Sequence, residues 1–173
     1  MNVLAFAASN SRHSINKALV SYAATFINGD VEVIDINDYE MPLYSVDREK
    51  EGGIPEQAQQ FYDKIGQADA ILISFAEHNG NVTAAYKNLF DWTSRINAKV
   101  YQGKPAVLLS TSPGARGASS SLGIAKRLAP YAGLDVKATL SVASFYNNFD
   151  LENGRITNSE IQAQLETALA ALN

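Results

Sequence analysis

Apolar positions along this chain come in two kinds, short unbroken runs and one-sided stripes, and they take turns. Val3-Leu4-Ala5-Phe6-Ala7, Ala70-Ile71-Leu72-Ile73-Ser74-Phe75 and Ala106-Val107-Leu108-Leu109-Ser110 are runs of strand length, the pattern of strands covered on both faces. Val31-Glu32-Val33-Ile34-Asp35-Ile36 alternates loosely and reads as the second strand, and residues 136–142 read as the fifth. Between the runs, apolar residues recur at helical spacing. Ile15, Ala18, Leu19, Tyr22, Ala23 and Phe26 predict a first helix, and Ala58, Phe61, Tyr62 and Ile65 a second. Val82, Ala85, Tyr86, Leu89 and Phe90 predict a third, and Leu122, Ala125, Leu128 and Ala129 a fourth. Ile161, Leu165, Ala168, Leu169 and Leu172 predict the closing helix.

End signals sharpen these elements. Ser14 suits an N-cap, Pro55 a first helical position, Gly66 a stop, and Pro130 with Gly133 another stop. Thr157-x-x-Glu160 reads as a capping box before the last helix. Residues 37–53 form a long connection without a periodic element, a length usually kept for contact surfaces or lids.

Strands alternating with helices imply an α/β fold: a parallel sheet with right-handed crossovers and helices on both faces. Nothing along the chain divides it, so residues 1–173 are expected to form a single domain. Three loops rich in Ser, Asn and Gly follow the first, third and fourth strands. In such sheets ligands bind outside the carboxyl ends of the strands, where the strand order reverses. For the order 2-1-3-4-5, that crevice lies between strands one and three.

Composition narrows the chemistry. A net charge of −4 argues against a nucleic-acid surface, and the absence of cysteine excludes disulfides and thiolate nucleophiles. No basic, long apolar N-terminal segment or membrane-length run is present, so no membrane role and a cytoplasmic location are expected. The only two histidines, His13 and His78, show no metal-ligand spacing, so no metal site is expected.

The first loop, Ala8-Ser9-Asn10-Ser11-Arg12-His13-Ser14-Ile15-Asn16, delivers small donors to a helix start, where free N–H groups and a partial positive charge favour an anion. Helix capping by Ser14 accounts for one hydroxyl but not for Ser9, Asn10, Ser11 and Asn16 as well. Lys17 follows three positions later instead of Glu or Gln, so the helix start lacks its own carboxylate. The sequences G-x-x-x-x-G-K-[ST], G-x-G-x-x-G and G-x-S-x-G are all missing, which disfavours nucleoside triphosphatases, ordinary dinucleotide folds and serine hydrolases. In the second loop, Asn79 and Gly80 are turn formers. Lys87, Asn88 and Asp91 on the next helix form either a solvated face or a polar network under that loop. The third loop, Thr111-Ser112-Pro113-Gly114-Ala115-Arg116-Gly117, has glycines that let backbone N–H groups approach a polar ring edge. Tyr44, Phe145 and Tyr146 are either ring-stacking partners or packed aromatics.

Taken together, the loops resemble those of the NADPH-dependent FMN reductase family, a flavodoxin-like group that includes quinone, chromate and azo-dye reductases. The resemblance runs from about residue 2 to residue 143. The family opens with G-S-x-R-x-x-S-x-N; here Ser9, Ser14 and Asn16 match, Ala8 replaces the glycine, and Ser11 stands at the arginine with Arg12 beside it. The family's P-E-Y-N-G-S and L-K-N-x-x-D-W correspond to Ala76-Glu77-His78-Asn79-Gly80-Asn81 and Tyr86-Lys87-Asn88-Leu89-Phe90-Asp91-Trp92, with His78 in place of tyrosine. Ser112-Pro113-Gly114-x-x-Gly117 is similar to the family's third flavin loop, and Met41-Pro42-Leu43-Tyr44 to a segment near its subunit contact.

The resemblance implies a flavodoxin-like three-layer sandwich with a five-stranded parallel sheet in the order 2-1-3-4-5. It implies FMN as cofactor and NADPH or NADH as electron donor. Ser9, Ser11, Arg12, Ser14, Ile15 and Asn16 would hold the phosphate. Ala76, Glu77, His78, Asn79 and Gly80 would line the ring, and Ser112, Gly114 and Gly117 would meet its pyrimidine edge. No acid–base residue is expected, since the flavin carries the chemistry. Acceptors would be quinones, free flavin, chromate or azo compounds, and the assembly a homodimer or homotetramer. The alternatives are an FMN-binding electron carrier without nicotinamide turnover and a flavin-free interaction protein.

Overall fold

The structure, a computed structural model, describes residues 1–172. Its centre is a sheet of β1 (Asn2–Ala8), β2 (Asp30–Ile34), β3 (Ala70–Phe75), β4 (Lys104–Thr111) and β5 (Leu134–Val142). The order is β2-β1-β3-β4-β5 and every pairing is parallel, as expected. Because strand side chains alternate between faces, β1 feeds two cores at once. Val3, Ala5 and Ala7 pack with α1 (Ile15–Ala24) and α7 (Ser159–Ala170) through Leu19, Val20, Leu165 and Leu169. Leu4, Phe6 and Ala8 face α3 (Glu56–Gln67), α4 (Ala84–Thr93) and α5 (Ser119–Ala132) through Phe61, Ile65, Leu89, Trp92 and Leu122. Full burial of each large side chain is worth about 1.5–3 kcal/mol, so the sheet is held rigidly and the loops at its ends have a fixed base.

Several boundaries differ from expectation. α1 ends at Ala24, so Phe26 lies beyond the stripe and is 37% exposed. α3 runs through Gly66 to Gln67, and α5 runs through Pro130 and ends at Gly133, whose φ of 72° turns the chain away. Pro130 sits inside the last turn, where its missing N–H removes the helical bond to the Lys126 carbonyl. Pro55 is the N-cap of α3, not its first helical residue. The capping box at Thr157 does not form. Asn158 is the cap, its side chain accepting from Glu160 N at 3.0 Å and Ile161 N at 3.2 Å, in keeping with asparagine's high rank there.

The connection 37–53 holds elements with no stripe to announce them. A 3₁₀ turn spans Ile36–Tyr39, and α2 (Val46–Gly52) buries no residue at all. Asn88 ties this connection down. Its Oδ1 accepts from Tyr44 N at 2.8 Å, and its Nδ2 donates to the carbonyls of Met41 and Pro42, each at 3.1 Å. Trp92 Nε1 adds a bond to Pro42 O at 2.7 Å. Asn88 therefore belongs to a polar network under residues 41–44, while Lys87 and Asp91 form an i,i+4 ion pair.

After β5 the chain makes α6 (Phe145–Asn148) and a hairpin of β6 (Phe149–Asp150) and β7 (Arg155–Ile156). Phe145 and Phe149 stack with centroids 4.6 Å apart and join the core of the α1–α7 face.

Candidate functional site

Because β1, β3 and β4 are neighbours, the loops that leave their carboxyl ends rise side by side. They enclose an open cleft of about 230 Å³. Ser9, Ser11, His13, Ser14, Ile15 and Asn16 line it from the first loop; Ala76, Glu77 and His78 from the second; Thr111, Ser112 and Pro113 from the third; and Tyr146 from α6.

In the first loop Ser14 is the N-cap of α1, its Oγ accepting from Lys17 N at 3.2 Å. The backbone ladder starts with Ala18 N donating to Ser14 O at 3.1 Å. The N–H groups of Ile15 and Asn16 are thus left over at the helix start, and the first turn carries no acidic residue. Ser9 Oγ accepts from Ser11 N at 3.2 Å, a local bond that tightens the turn after β1. The Asn16 side chain is committed elsewhere: it is buried and bonds to Ser74 Oγ and to both backbone groups of Thr111. Its contribution to the cleft is its backbone. Lys17 Nζ lies 2.5 Å from Asp35 Oδ2. Burial alone would raise the Asp35 carboxyl, but hydrogen bonds from Lys17 and Asn37 and the Lys17 charge leave it below the ordinary 3.8.

The second loop is a tight reversal. His78 N donates to Asn81 O at 2.9 Å and Asn81 N to His78 O at 3.1 Å. Asn79 (φ 53°) and Gly80 (φ 75°) occupy its two central positions, the left-handed pair that Asn-Gly favours. Asn79 and Gly80 stand at the exposed tip, outside the cleft lining. Thr83 anchors the far side, capping α4 and donating to Ala8 O at 3.0 Å. Glu77 has a structural task as well. The N-cap of α5, Ala118, is left-handed and offers no side-chain acceptor. Glu77 Oε2 takes its place, accepting from Ser121 N at 3.0 Å, a favourable position for an anion at a helix start.

The third loop places its residues unevenly. Ser112 lines the cleft, and Gly114 is exposed at its rim, its carbonyl accepting from Gly117 N at 3.1 Å and Ser144 N at 2.9 Å. Gly117 is buried and turned toward β5: a Cβ there would lie 2.5 Å from Ser141 Oγ and 2.8 Å from the Val142 backbone. It lies under the loop, outside the cleft lining. Arg12 and Arg116 are exposed and lie outside the lining. Tyr44 packs edge-on against Trp92 at 5.0 Å, and Phe145 is fully buried. Of the three aromatic candidates, only Tyr146 reaches the cleft. His13, Thr111 and Pro113 join it there. Thr111, read from the sequence as the first residue of the third loop, closes β4 instead, and His13 carried no signal beyond its loop.

These donors fit a flavin phosphate. Ser9, Ser11 and Ser14 line one space together with Ile15 and Asn16, the residues whose N–H groups are left over at the helix start. The one carboxylate among the lining residues, Glu77, is already engaged by Ser121. Among the described residues no three His, Cys, Asp or Glu gather as a metal site. A second hollow, about 280 Å³ between α4 and α5, is apolar, lined by Phe75, Phe90, Leu108 and Leu128 over the paired hydroxyls of Tyr86 and Tyr101. It offers no phosphate donors of this kind.

Comparison with known proteins agrees with this frame. A family model described as NADPH-dependent FMN reductase matches residues 1–144. The chain is 30% identical over 161 residues to a 2-hydroxy-1,4-benzoquinone reductase of Burkholderia sp, covering 90% of this chain and 85% of that protein. It is 29% identical over 178 residues to an NAD(P)H-dependent FMN reductase of Pseudomonas aeruginosa, covering 99% and 93%. In fold it is similar to the flavoenzyme NAD(P)H:(acceptor) oxidoreductase FerB of Paracoccus denitrificans, with a TM-score of 0.82, 23% identity, and 99% and 94% of the two chains covered. The match takes in all three cleft loops and every strand of the parallel sheet, and the chain belongs to the NADPH-dependent FMN reductase family.

Proposed function

We propose that the protein is an FMN-dependent NAD(P)H oxidoreductase that delivers a hydride from NADPH or NADH to a quinone, free flavin or a similar acceptor, with chromate and azo compounds as further candidates. One observation carries the reading: three loops from neighbouring strands converge on a cleft whose donors are uncharged and whose lining carboxylate is already engaged. Bound FMN supplies the two-electron chemistry, and the protein's part is to hold and orient it.

In this reading the hydroxyls of Ser9, Ser11 and Ser14 and the N–H groups of Ile15 and Asn16 bind the phosphate, with Arg12 adding charge from outside the lining. Ala76, Glu77 and His78 form one wall of the ring site, with Asn79 and Gly80 at its tip; Ser112 and Gly114 form the other. Gly117 sets the shape of that second wall. Donor and acceptor use the same open space in turn, which gives a two-step cycle. The benzoquinone-reductase relative supports a quinone as acceptor.

The rest of the proposal concerns the whole chain. Residues 145–172 pack on the same sheet as the flavin loops, which supports one FMN-binding unit over residues 1–173. Exposed Leu43 (70%) and Val46 (53%) support self-association into a homodimer or homotetramer. We assign it to the cytoplasm; among the described residues no helix is long and apolar enough to cross a membrane.

Titration with FMN and with riboflavin tests the site, and NAD(P)H oxidation with menadione tests the activity. The expected result is FMN binding at micromolar concentration or tighter, weaker riboflavin binding, and steady turnover. FMN binding without turnover makes the protein an electron carrier. No uptake of FMN at tens of micromolar by folded protein overturns the reading.

A further inference from the structure

Tyr146 is the one phenol on the cleft, and the phosphate and ring-edge loops do not account for it. It lies just past the segment matched by the family model, which ends at residue 144. Its position is fixed from below. Phe145, fully buried, meets the Tyr146 ring edge-on at 5.5 Å and stacks on Phe149. Phe145 N donates to Ser112 O at 3.1 Å and Ser144 N to Gly114 O at 2.9 Å, which fastens the start of α6 to the third loop. Tyr146 itself remains 61% exposed. An aromatic face that is anchored at its base, open to solvent and set beside a polar cleft suits a planar ligand that arrives and leaves.

We propose that Tyr146 is the surface on which the ring of the electron acceptor stacks, making it a specificity residue for planar, quinone-like substrates. The proposal rests on the oxidoreductase reading above. The remaining aromatic groups lining the cleft are the imidazoles of His13 and His78, which leaves Tyr146 as the largest flat apolar face available to an incoming ring. A residue acting this way changes the capture of ring-shaped acceptors and leaves flavin binding alone.

The test compares Tyr146→Ala and Tyr146→Phe with the unaltered holoprotein. FMN affinity is followed by fluorescence, and turnover is measured with menadione, a planar quinone, and with ferricyanide, which presents no ring to stack. Tyr146→Ala is expected to raise KM for menadione roughly three- to tenfold, with a smaller change for ferricyanide and FMN affinity held. Tyr146→Phe, which keeps the ring, is expected to restore the menadione KM. An unchanged menadione KM in Tyr146→Ala overturns the proposal, as does an equal loss with both acceptors or a fall in FMN affinity. Failure of the unaltered protein to bind FMN or turn over defeats the function reading itself, and that is seen before any variant is made.

Discussion

Asn16 holds Thr111 by both of its backbone groups, accepting from the N–H at 3.0 Å and donating to the carbonyl at 3.1 Å. Its Oδ1 also accepts from Ser74 Oγ at 2.8 Å. One buried amide on α1 thus joins the carboxyl ends of β3 and β4, and so sets the spacing of the three cleft loops. Asn16→Ala leaves Thr111 and Ser74 with unpaired buried groups, at a cost of about 2–4 kcal/mol. Urea denaturation measures it. A loss below about 0.5 kcal/mol means that the network does not hold the loops together.

The phosphate assignment can be separated from helix capping at Ser14. Aspartate caps a helix about as well as serine, so Ser14→Asp is expected to keep the stability of the unliganded protein. It also places a carboxylate where the leftover N–H groups of Ile15 and Asn16 would receive an anion. FMN affinity is expected to fall roughly tenfold or more, and the loss to shrink as salt is added. Fluorescence titration reads both. Equal affinity for FMN in the two proteins moves the phosphate away from this helix start.

Two left-handed glycines distinguish a local conformational cost from a steric one. A Cβ on Gly80 (φ 75°) meets nothing within 4 Å, whereas one on Gly117 (φ 55°) would lie 2.5 Å from Ser141 Oγ and 2.8 Å from Val142 backbone atoms. Gly80→Ala is expected to cost about 1–2 kcal/mol, the left-handed penalty alone. Gly117→Ala adds a clash with the main chain and is expected to cost about 3 kcal/mol or more. Thermal unfolding of the two variants side by side checks the order. Equal losses would mean that the third loop moves freely away from β5.

The central strands were legible because β1, β3 and β4 leave unbroken apolar runs and the covering helices leave stripes, while the strand order followed from the family resemblance. The Asn79-Gly80 turn was legible for a different reason, since its backbone conformation selects those residue types. What sequence missed was stabilised by other means. α2 has no buried face, so it casts no pattern. Glu77 looked like a ring-lining residue, and its bond to Ser121, 44 positions away, becomes visible only when β3 and α5 are placed together. Gly117 was assigned to the flavin because a glycine lets the backbone approach a ring edge; the close approach of β5, a second reason for glycine there, shows only in the fold. Asn16 was assigned to the phosphate as a donor of the first loop and a match to the family motif, while its side-chain amide serves the frame.

The Lys17–Asp35 pair makes the base of the first loop sensitive to acid. Asp35 Oδ2 meets Lys17 Nζ at 2.5 Å, and its Oδ1 accepts from Asn37 N at 2.9 Å and Asn37 Nδ2 at 2.8 Å. The folded carboxyl titrates below its ordinary 3.8. A carboxyl depressed by folding contributes stability that is fully present above its unfolded pKa and is lost as pH falls through the folded one. The side chains of Lys17 and Asp35 are 43% and 29% exposed, so solvent screening keeps the contribution below about 1 kcal/mol. Asp35→Asn keeps an acceptor for Asn37 and removes the charge. Its stability deficit against the unaltered protein is therefore expected at pH 7, to persist to about pH 5, and to close toward pH 3. Urea melts across that range measure the gap, and a gap that stays constant with pH removes the Asp35 charge from the account.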